Sequence, residues 1–419
     1  MPIKEEMVSI DNVKKTASLL EEVVLKTPLM ENKYLSDKFQ SNILFKREDL
    51  QQVRSYKIRG AYNKISSLSQ EQLKNGVVCA SAGNHAQGVA YSCFFKKVKG
   101  VIFMPTPTPN QKIEQVKMFG GEYVEVVLTG DTFDDASASA LKYCEENKMS
   151  FVHPFNDIKV IEGQATIALE ILEQTKAPID YLFLPVGGGG LASGVSSVFK
   201  LLSSNTKIIG VEPEGAPSMS TSINIGINTK IENIDKFVDG ASVQQVGDLN
   251  FNICKDNLDE MATVHEGKVC QTILDLYNKN AIVVEPAGGL TTAVLDQYKN
   301  EIKGKNVVCL ISGSNNDITR TEEIKERAML HSGHKHYFII RFPQRAGALR
   351  EFLSQVLGPN DDITHFEYSK KHNRNSGPAV VGLELENPND IDDLIQRMLD
   401  RKFYGEYLND SPDLFQFLI

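Results

Sequence analysis

Tyr181-Leu182-Phe183-Leu184-Pro185-Val186-Gly187-Gly188-Gly189-Gly190-Leu191-Ala192-Ser193 reads as an apolar strand, a glycine turn and the start of a helix. Four consecutive glycines are costly in entropy, so they mark backbone that must approach something closely or connect flexibly. The same rhythm of a short apolar run followed by an amphipathic one extends in both directions. Strand candidates are Ile43–Lys46, Val77–Ala80, Val101–Met104, Tyr123–Leu128, Phe151–His153, Tyr181–Pro185, Ile208–Val211, Ala281–Val284 and Val307–Ile311. Helical periodicity covers Val13–Leu25, Asn110–Phe119, Phe133–Glu146, Ile161–Glu173, Ser193–Leu202 and Lys268–Asn280. Alternation of this kind predicts an α/β fold with parallel sheets and crossover helices. So many strands suggest two sheets, hence two α/β lobes, with a ligand between them at the strand C-terminal ends.

The texture changes at the charged stretch Thr319–Arg327 and the polar His331-Ser332-Gly333-His334, read as a linker over 321–335. Beyond it, Tyr337–Phe342, Gly347–Leu357, Ile363–Tyr368, Ala379–Leu385 and Ile391–Lys402 follow a β-α-β-β-α order, closed by the apolar Leu414–Ile419. That order predicts a ferredoxin-like α+β unit over 336–419. The preceding 1–320 then holds both lobes, a large one from about 1–42 and 156–320 and a small one from about 43–155.

A chain of 419 residues, 41% hydrophobic and 24% charged, suits a globular protein of two or three domains. Its net charge of -9 argues against nucleic acid or an anionic membrane as partner. The six cysteines form no C-x-x-C pair and sit in apolar runs such as Val77-Val78-Cys79-Ala80. They read as core residues of a reducing compartment. Met1–Ser9 has no apolar signal segment, so the cytoplasm is the expected location. H-E-x-x-H and G-x-S-x-G are also absent, which leaves metalloprotease and hydrolase readings without support.

Five places could carry chemistry. Ser55-Tyr56-Lys57-Ile58-Arg59-Gly60-Ala61-Tyr62 opens a helix, with Ser55 as expected N-cap. There the helix dipole, Arg54 and Arg59 would all disfavour an ammonium on Lys57, as Schiff-base chemistry requires. Ser81-Ala82-Gly83-Asn84-His85 follows a strand and starts a helix, so it is either an anion-binding turn or a plain one. Gly187-Gly188-Gly189-Gly190-Leu191 suits a small phosphate-bearing cofactor, or a flexible connector; it is neither a Walker loop nor a dinucleotide fingerprint. Ser312, in Ser312-Gly313-Ser314-Asn315, ends a strand and reaches a crevice or merely turns the chain, and Glu285 lines a site or caps a helix.

In that order, these motifs resemble the fold-type II pyridoxal-phosphate enzymes (tryptophan synthase β-like), and within them the biosynthetic threonine deaminases. The resemblance spans essentially the whole chain. It implies that Lys57 binds pyridoxal 5'-phosphate covalently and that Asn84 meets the cofactor's ring oxygen. It further implies that Gly187, Gly188, Gly189, Gly190 and Leu191 cradle the phosphate and that Ser312 faces the pyridine nitrogen. Ser81, Ala82, Gly83, Asn84 and His85 would receive the substrate carboxylate. The implied reaction takes L-threonine, with L-serine as a second substrate, through an enamine to 2-oxobutanoate and ammonia, the committed step of isoleucine biosynthesis. The C-terminal segment resembles a single ACT-like regulatory domain answering to isoleucine or valine, and the family implies a homo-oligomer, dimer or tetramer. Ala82 stands where racemases of this fold carry a serine, which argues against racemisation. Ser218 stands where their metal site has a carboxylate, so no divalent metal is expected beside Glu212. Competing readings are a catabolic serine/threonine dehydratase and an amino-acid sensor that has lost catalysis. The groove candidates Phe366 and Tyr368 read as core.

Overall fold

The computed structural model describes residues 8–368, 376–411 and 414–415, and the chain divides into two units, Met1–Ile318 and Thr319–Ile419. In the first, ten strands build two sheets. The strands are β1 (Leu29–Glu31), β2 (Asn42–Arg47), β3 (Val77–Ala80), β4 (Gly100–Met104), β5 (Val124–Leu128), β6 (Ser150–Phe151), β7 (Tyr181–Pro185), β8 (Lys207–Pro213), β9 (Glu260–Val264) and β10 (Asn306–Ile311). One sheet runs β1-β2-β10-β7-β8-β9, the other β5-β4-β3-β6. Every pairing is parallel except β1 on β2. Parallel strands are covered on both faces, which is why they read as unbroken apolar runs.

Alternation decides which face each side chain serves. Val77, Cys79, Ile102 and Met104 pack with Ala86, Val89, Ala90 and Cys93 of the Asn84–Lys96 helix. Their neighbours Val78, Ala80, Val101 and Phe103 turn the other way, onto Ala136 and Ala140 of the Phe133–Glu146 helix. In the larger sheet Leu182, Leu184, Ile208, Val308 and Leu310 share a core with Ile161, Ala165, Val195 and Phe199.

Several expectations need correcting. Ile43–Lys46, expected to open the small lobe, lies within β2, which pairs with β10 and belongs to the six-stranded sheet. Ala281–Val284 forms no strand; Ala281 takes a left-handed C-cap (φ 53°) after the Glu266–Asn280 helix. Ile282 and Val284 are buried while Val283 is half exposed, so the segment alternates like a strand without a ladder. Leu29–Glu31 and Glu260–Val264 are strands the periodicity did not reveal. The first helix spans Ile10–Leu20, shorter than expected.

The second unit is an antiparallel sheet ordered β12-β13-β11-β14, from β11 (Lys335–Pro343), β12 (Asp362–Tyr368), β13 (Ser376–Glu384) and β14 (Tyr404–Tyr407). Helices Ala348–Gln355 and Ile391–Asp400 supply Phe352, Leu394 and Met398 to its core. The stretch expected as a linker, 321–335, holds a helix (Thr321–His331) and the first residue of β11, and it groups with this unit. Phe366 and Tyr368 are not core: they lie on the edge strand at 39% and 40% exposure, their rings edge-on to the buried Phe342. Of the segment 414–419, only Leu414 and Phe415 fall within the described residues.

Candidate active site

Lys57 is the first residue of the Lys57–Ser66 helix. The N-cap position is Tyr56, without a side-chain cap bond, so Ser55 is not the cap. Instead Ser55 bridges Gly313 across an antiparallel contact, its hydroxyl buried without a partner, and Tyr56 N donates to Ser312 O at 3.2 Å. The helix start is therefore stitched to the end of β10. The Lys57 amine donates to Pro154 O at 2.9 Å. Burial pushes its pKa down to about 8, and the opposing charge is the Glu285 carboxylate.

The two arginines do not cause this shift. Arg59 lies two residues along the helix, hence on its other side. There, at 1% exposure, it meets Glu48 (2.7 and 2.8 Å), Glu170 (2.6 and 3.0 Å) and Thr166 Oγ1 (3.1 Å). Lys46, also inaccessible, donates to Glu170, Thr27 O and Gln174. Burial opposes ionisation of Glu48, but Arg59 and Lys46 outweigh it and hold the carboxyl below its usual value. Two cations and two carboxylates thus neutralise one another beneath the Lys57 helix.

Asn84 opens the Asn84–Lys96 helix after N-cap Gly83. Its Nδ2 donates to Glu285 Oε1 at 2.6 Å, while Oδ1 is buried without a partner. Ser81 N–H is spent on Phe103 O (3.1 Å), and Gly83 N–H meets the Ser81 hydroxyl (3.2 Å), so neither is a free anion donor as expected. The N–H groups of Asn84 and His85, in the first turn of this helix, have no intrahelical acceptor and are the donors left at its start. His85 is buried, with Nε2 bonded to Val152 O at 2.8 Å. Burial first, then nearby Lys57, push its pKa down to about 3, so the ring is neutral.

The tetraglycine turn leads from β7 to the Gly190–Leu202 helix, whose N-cap Gly189 has φ 90°. A Cβ on Gly188 would sit 2.3 Å from the Phe155 ring, so only bare backbone fits. Asn250 pins the turn by donating to Gly188 O (2.7 Å) and Phe155 O (3.1 Å). Leu191 points into the core and can offer only its N–H. Phe155 follows Pro154, whose carbonyl holds Lys57, so the glycine turn and the lysine share a wall. Ser312, at the end of β10, is 3% exposed. Lys57, Asn84, the glycine turn and Ser312 are thus gathered around one place. Glu285, Pro154, Phe155 and Asn250 complete it, and no motif announced the last three.

A small phosphate-bearing aldehyde fits these residues: an amine kept near neutral, an orphaned amide oxygen at Asn84 and a bare-backbone helix start for an anion. The family model of pyridoxal-phosphate-dependent enzymes matches residues 20–313, and that of the C-terminal regulatory domain of threonine dehydratase matches 326–418. The chain is 53% identical over 412 residues to the biosynthetic L-threonine dehydratase of Halalkalibacterium halodurans, covering 98% of this chain and 99% of that protein. The chain belongs to the pyridoxal-phosphate-dependent threonine dehydratases. Among solved structures, the processed form of threonine deaminase isoform 2 from Solanum lycopersicum superposes with a TM-score of 0.72 at 40% identity, covering 78% of this chain and 96% of that one. Serine racemase from Dictyostelium discoideum follows at 0.69 and 32%, covering 74% and 99%. The fold therefore hosts both lyase and racemase, and residues rather than architecture separate them.

In this family setting Gly188→Ala is expected to push Phe155, and with it the Lys57-holding carbonyl of Pro154, away from the turn. Titrating the cofactor-free protein with pyridoxal phosphate should show affinity lower by about tenfold or more, an overpacking effect of roughly 1–3 kcal/mol. Unchanged affinity would mean that the turn does not touch the cofactor.

Proposed function

We infer that, in this biosynthetic L-threonine dehydratase, Lys57 is both the amine that carries pyridoxal phosphate and the base that takes threonine's α-proton. What carries the reading is the half-buried Lys57 amine, its pKa pushed down to about 8, beside the Asn84–Glu285 pair. The cofactor supplies an electron sink for the bond broken at the α-carbon. The protein supplies placement. The phosphate would rest on the Gly187–Leu191 turn and helix start, the ring oxygen at Asn84, and the pyridine nitrogen at the Ser312 hydroxyl. Asn84 and His85 N–H groups would receive the substrate carboxylate, within the turn formed by Ser81, Ala82 and Gly83. Released from the cofactor, Lys57 is neutral often enough near pH 8 to accept a proton. The β-hydroxyl then leaves, and water replaces the amine nitrogen, so threonine yields 2-oxobutanoate and ammonia with no net change in water. Ala82 brings no hydroxyl to return a proton from the other face, which favours elimination over racemisation. The Glu212 carboxylate, the reference point for a metal in racemases, accepts from Met219 N, Ser220 N and Ser220 Oγ at 2.7–2.8 Å, capping a helix start.

Residues 1–318 carry this chemistry, and 319–419 carry its control. Leu349 and Leu353, one turn apart, are 45% and 47% exposed. With Phe366 and Tyr368 they leave apolar surface suited to isoleucine or valine, or to another copy of the chain in a homo-oligomer. All six cysteines are free and buried, in keeping with a cytoplasmic setting. Among the described residues no helix is long and apolar enough to cross a membrane.

The test is a steady-state assay of the full chain on L-threonine and L-serine, with and without isoleucine. We expect 2-oxobutanoate and ammonia in equal amounts and a higher apparent KM for threonine with isoleucine present. A chain ending at Ile318, which keeps its own cores, should retain turnover and lose the response. An isoleucine response that survives truncation would remove the regulatory role from the C-terminal unit.

A further inference from the structure

Glu285 sits where a glutamate has no structural task that explains it. It occupies the N-cap position of the Pro286–Ala293 helix, yet its side chain makes no capping bond. Its carboxylate is turned instead toward Asn84, which arrives from the other sheet of the same unit. The surrounding backbone is bare on two sides: a Cβ on Gly313 would fall 2.3 Å from Oε1, and one on Gly240 3.7 Å. Glu285 N–H is tied to Gly313 O at 3.2 Å, next to Ser312. Glu285 is 4% exposed, and its carboxylate is closely surrounded.

An ionised carboxylate only accepts hydrogen bonds. It therefore admits one orientation of the Asn84 amide, with NH2 toward Glu285; the reverse would set two oxygens against each other. Asn84 Oδ1 is left buried without a partner, and the amide cannot relieve that cost by turning over, since it would then lose its bond to Glu285. We propose that Glu285 is a positioning residue that fixes the Asn84 amide, and so decides which of its edges meets the cofactor's ring oxygen. This rests on the reading that Asn84 serves that oxygen. The groups around Glu285 are Lys57 and Tyr56 at the Lys57 helix, Lys112 from the Asn110–Gly120 helix, and Asp239. Lys112 and Asp239 are themselves paired at 2.6 Å. Burial, then Asp239, push the Glu285 pKa up to about 7, so neutral Glu285 gains weight on the acid side and there loosens its hold on the amide.

The experiment compares holoenzyme and cofactor-free protein of wild type, Glu285→Gln, Glu285→Asp, Asn84→Ala and the double variant Asn84→Ala/Glu285→Gln. Glutamine keeps the shape but accepts either amide orientation; aspartate keeps the charge and serves should the glutamine variant fold poorly. For Glu285→Gln we expect pyridoxal phosphate affinity about tenfold weaker, as for a lost charge-assisted bond. The pH midpoint of the visible cofactor band should fall by about one unit, because an anion favouring the cationic form is gone. In cofactor-free protein, competitive labelling should show the Lys57 midpoint falling too, since Glu285 raises it. Aspartate should restore part of both midpoints, and the double variant should weaken affinity no further than Asn84→Ala alone. If Asn84→Ala alters affinity and band while Glu285→Gln leaves both untouched, or if the two add in full, the inference is wrong. If neither alters them, the role given to Asn84 falls, and this one with it.

Discussion

Lys57→Ala protein is expected to bind pyridoxal phosphate without its visible covalent band and to turn over threonine about 10³-fold more slowly, or worse. Two tasks fall on one amine, so covalent attachment and proton removal should vanish together, whereas loss of an ordinary contact would spare one of them. Thermal stability of the cofactor-free variant should stay close to wild type. The amine sits in a costly place, its charge disfavoured by burial, and relief of that cost offsets the hydrogen bond to Pro154 O that the variant gives up. An absorbance spectrum and a single-turnover assay suffice. Near wild-type turnover in this variant would transfer the chemistry to another residue.

Arg59 gives the second large effect, in stability rather than chemistry. Its guanidinium serves Glu48, Glu170 and Thr166 where water cannot replace it. Arg59→Ala leaves two carboxylates facing each other, with Lys46 alone to balance them. Removing one partner from a buried ion cluster costs about 3–5 kcal/mol. Urea unfolding of the cofactor-free enzyme should show that loss. Arg59→Lys should recover only part of it, because an ammonium cannot reproduce the planar fork on both carboxylates. Turnover should also drop, since the cluster anchors the helix that begins at Lys57. Stability within about 1 kcal/mol of wild type would mean that the cluster relaxes or hydrates freely.

The fold was legible wherever burial imposed a pattern. Val77–Ala80 and Tyr181–Pro185 emerge with the expected bounds because both faces of a parallel strand are apolar. Glu260–Val264 shows no unbroken apolar run because Glu260 is exposed and Met261 and Thr263 are only partly covered at the sheet edge. Leu29–Glu31 shows none because it pairs antiparallel at the opposite edge, directly after a proline that reads as a break. Ala281–Val284 misled because alternation reports burial, not hydrogen bonding.

At the site, glycines, Asn84 and Lys57 announced themselves through position: strand end, then helix start. The lysine's low pKa has a different cause from the one its sequence neighbours suggest. Charges two and three residues away in sequence looked close, but the helix sends Arg59 to the opposite side, and burial does the work. That much was recoverable from helical geometry. Pro154, Phe155 and Asn250 were not, because a carbonyl, a ring edge and an amide that brace a turn carry no spacing of their own. Glu285 was visible as a strand-end acid, and only the fold chose between capping a helix and facing Asn84.

Borohydride reduction of the freshly purified enzyme, followed by peptide mass mapping, tests the centre of this account most directly. Pyridoxyl mass on the peptide containing Lys57, and on no other lysine, is the predicted result. A stable label on a different lysine, or none in protein that still converts threonine, would contradict it.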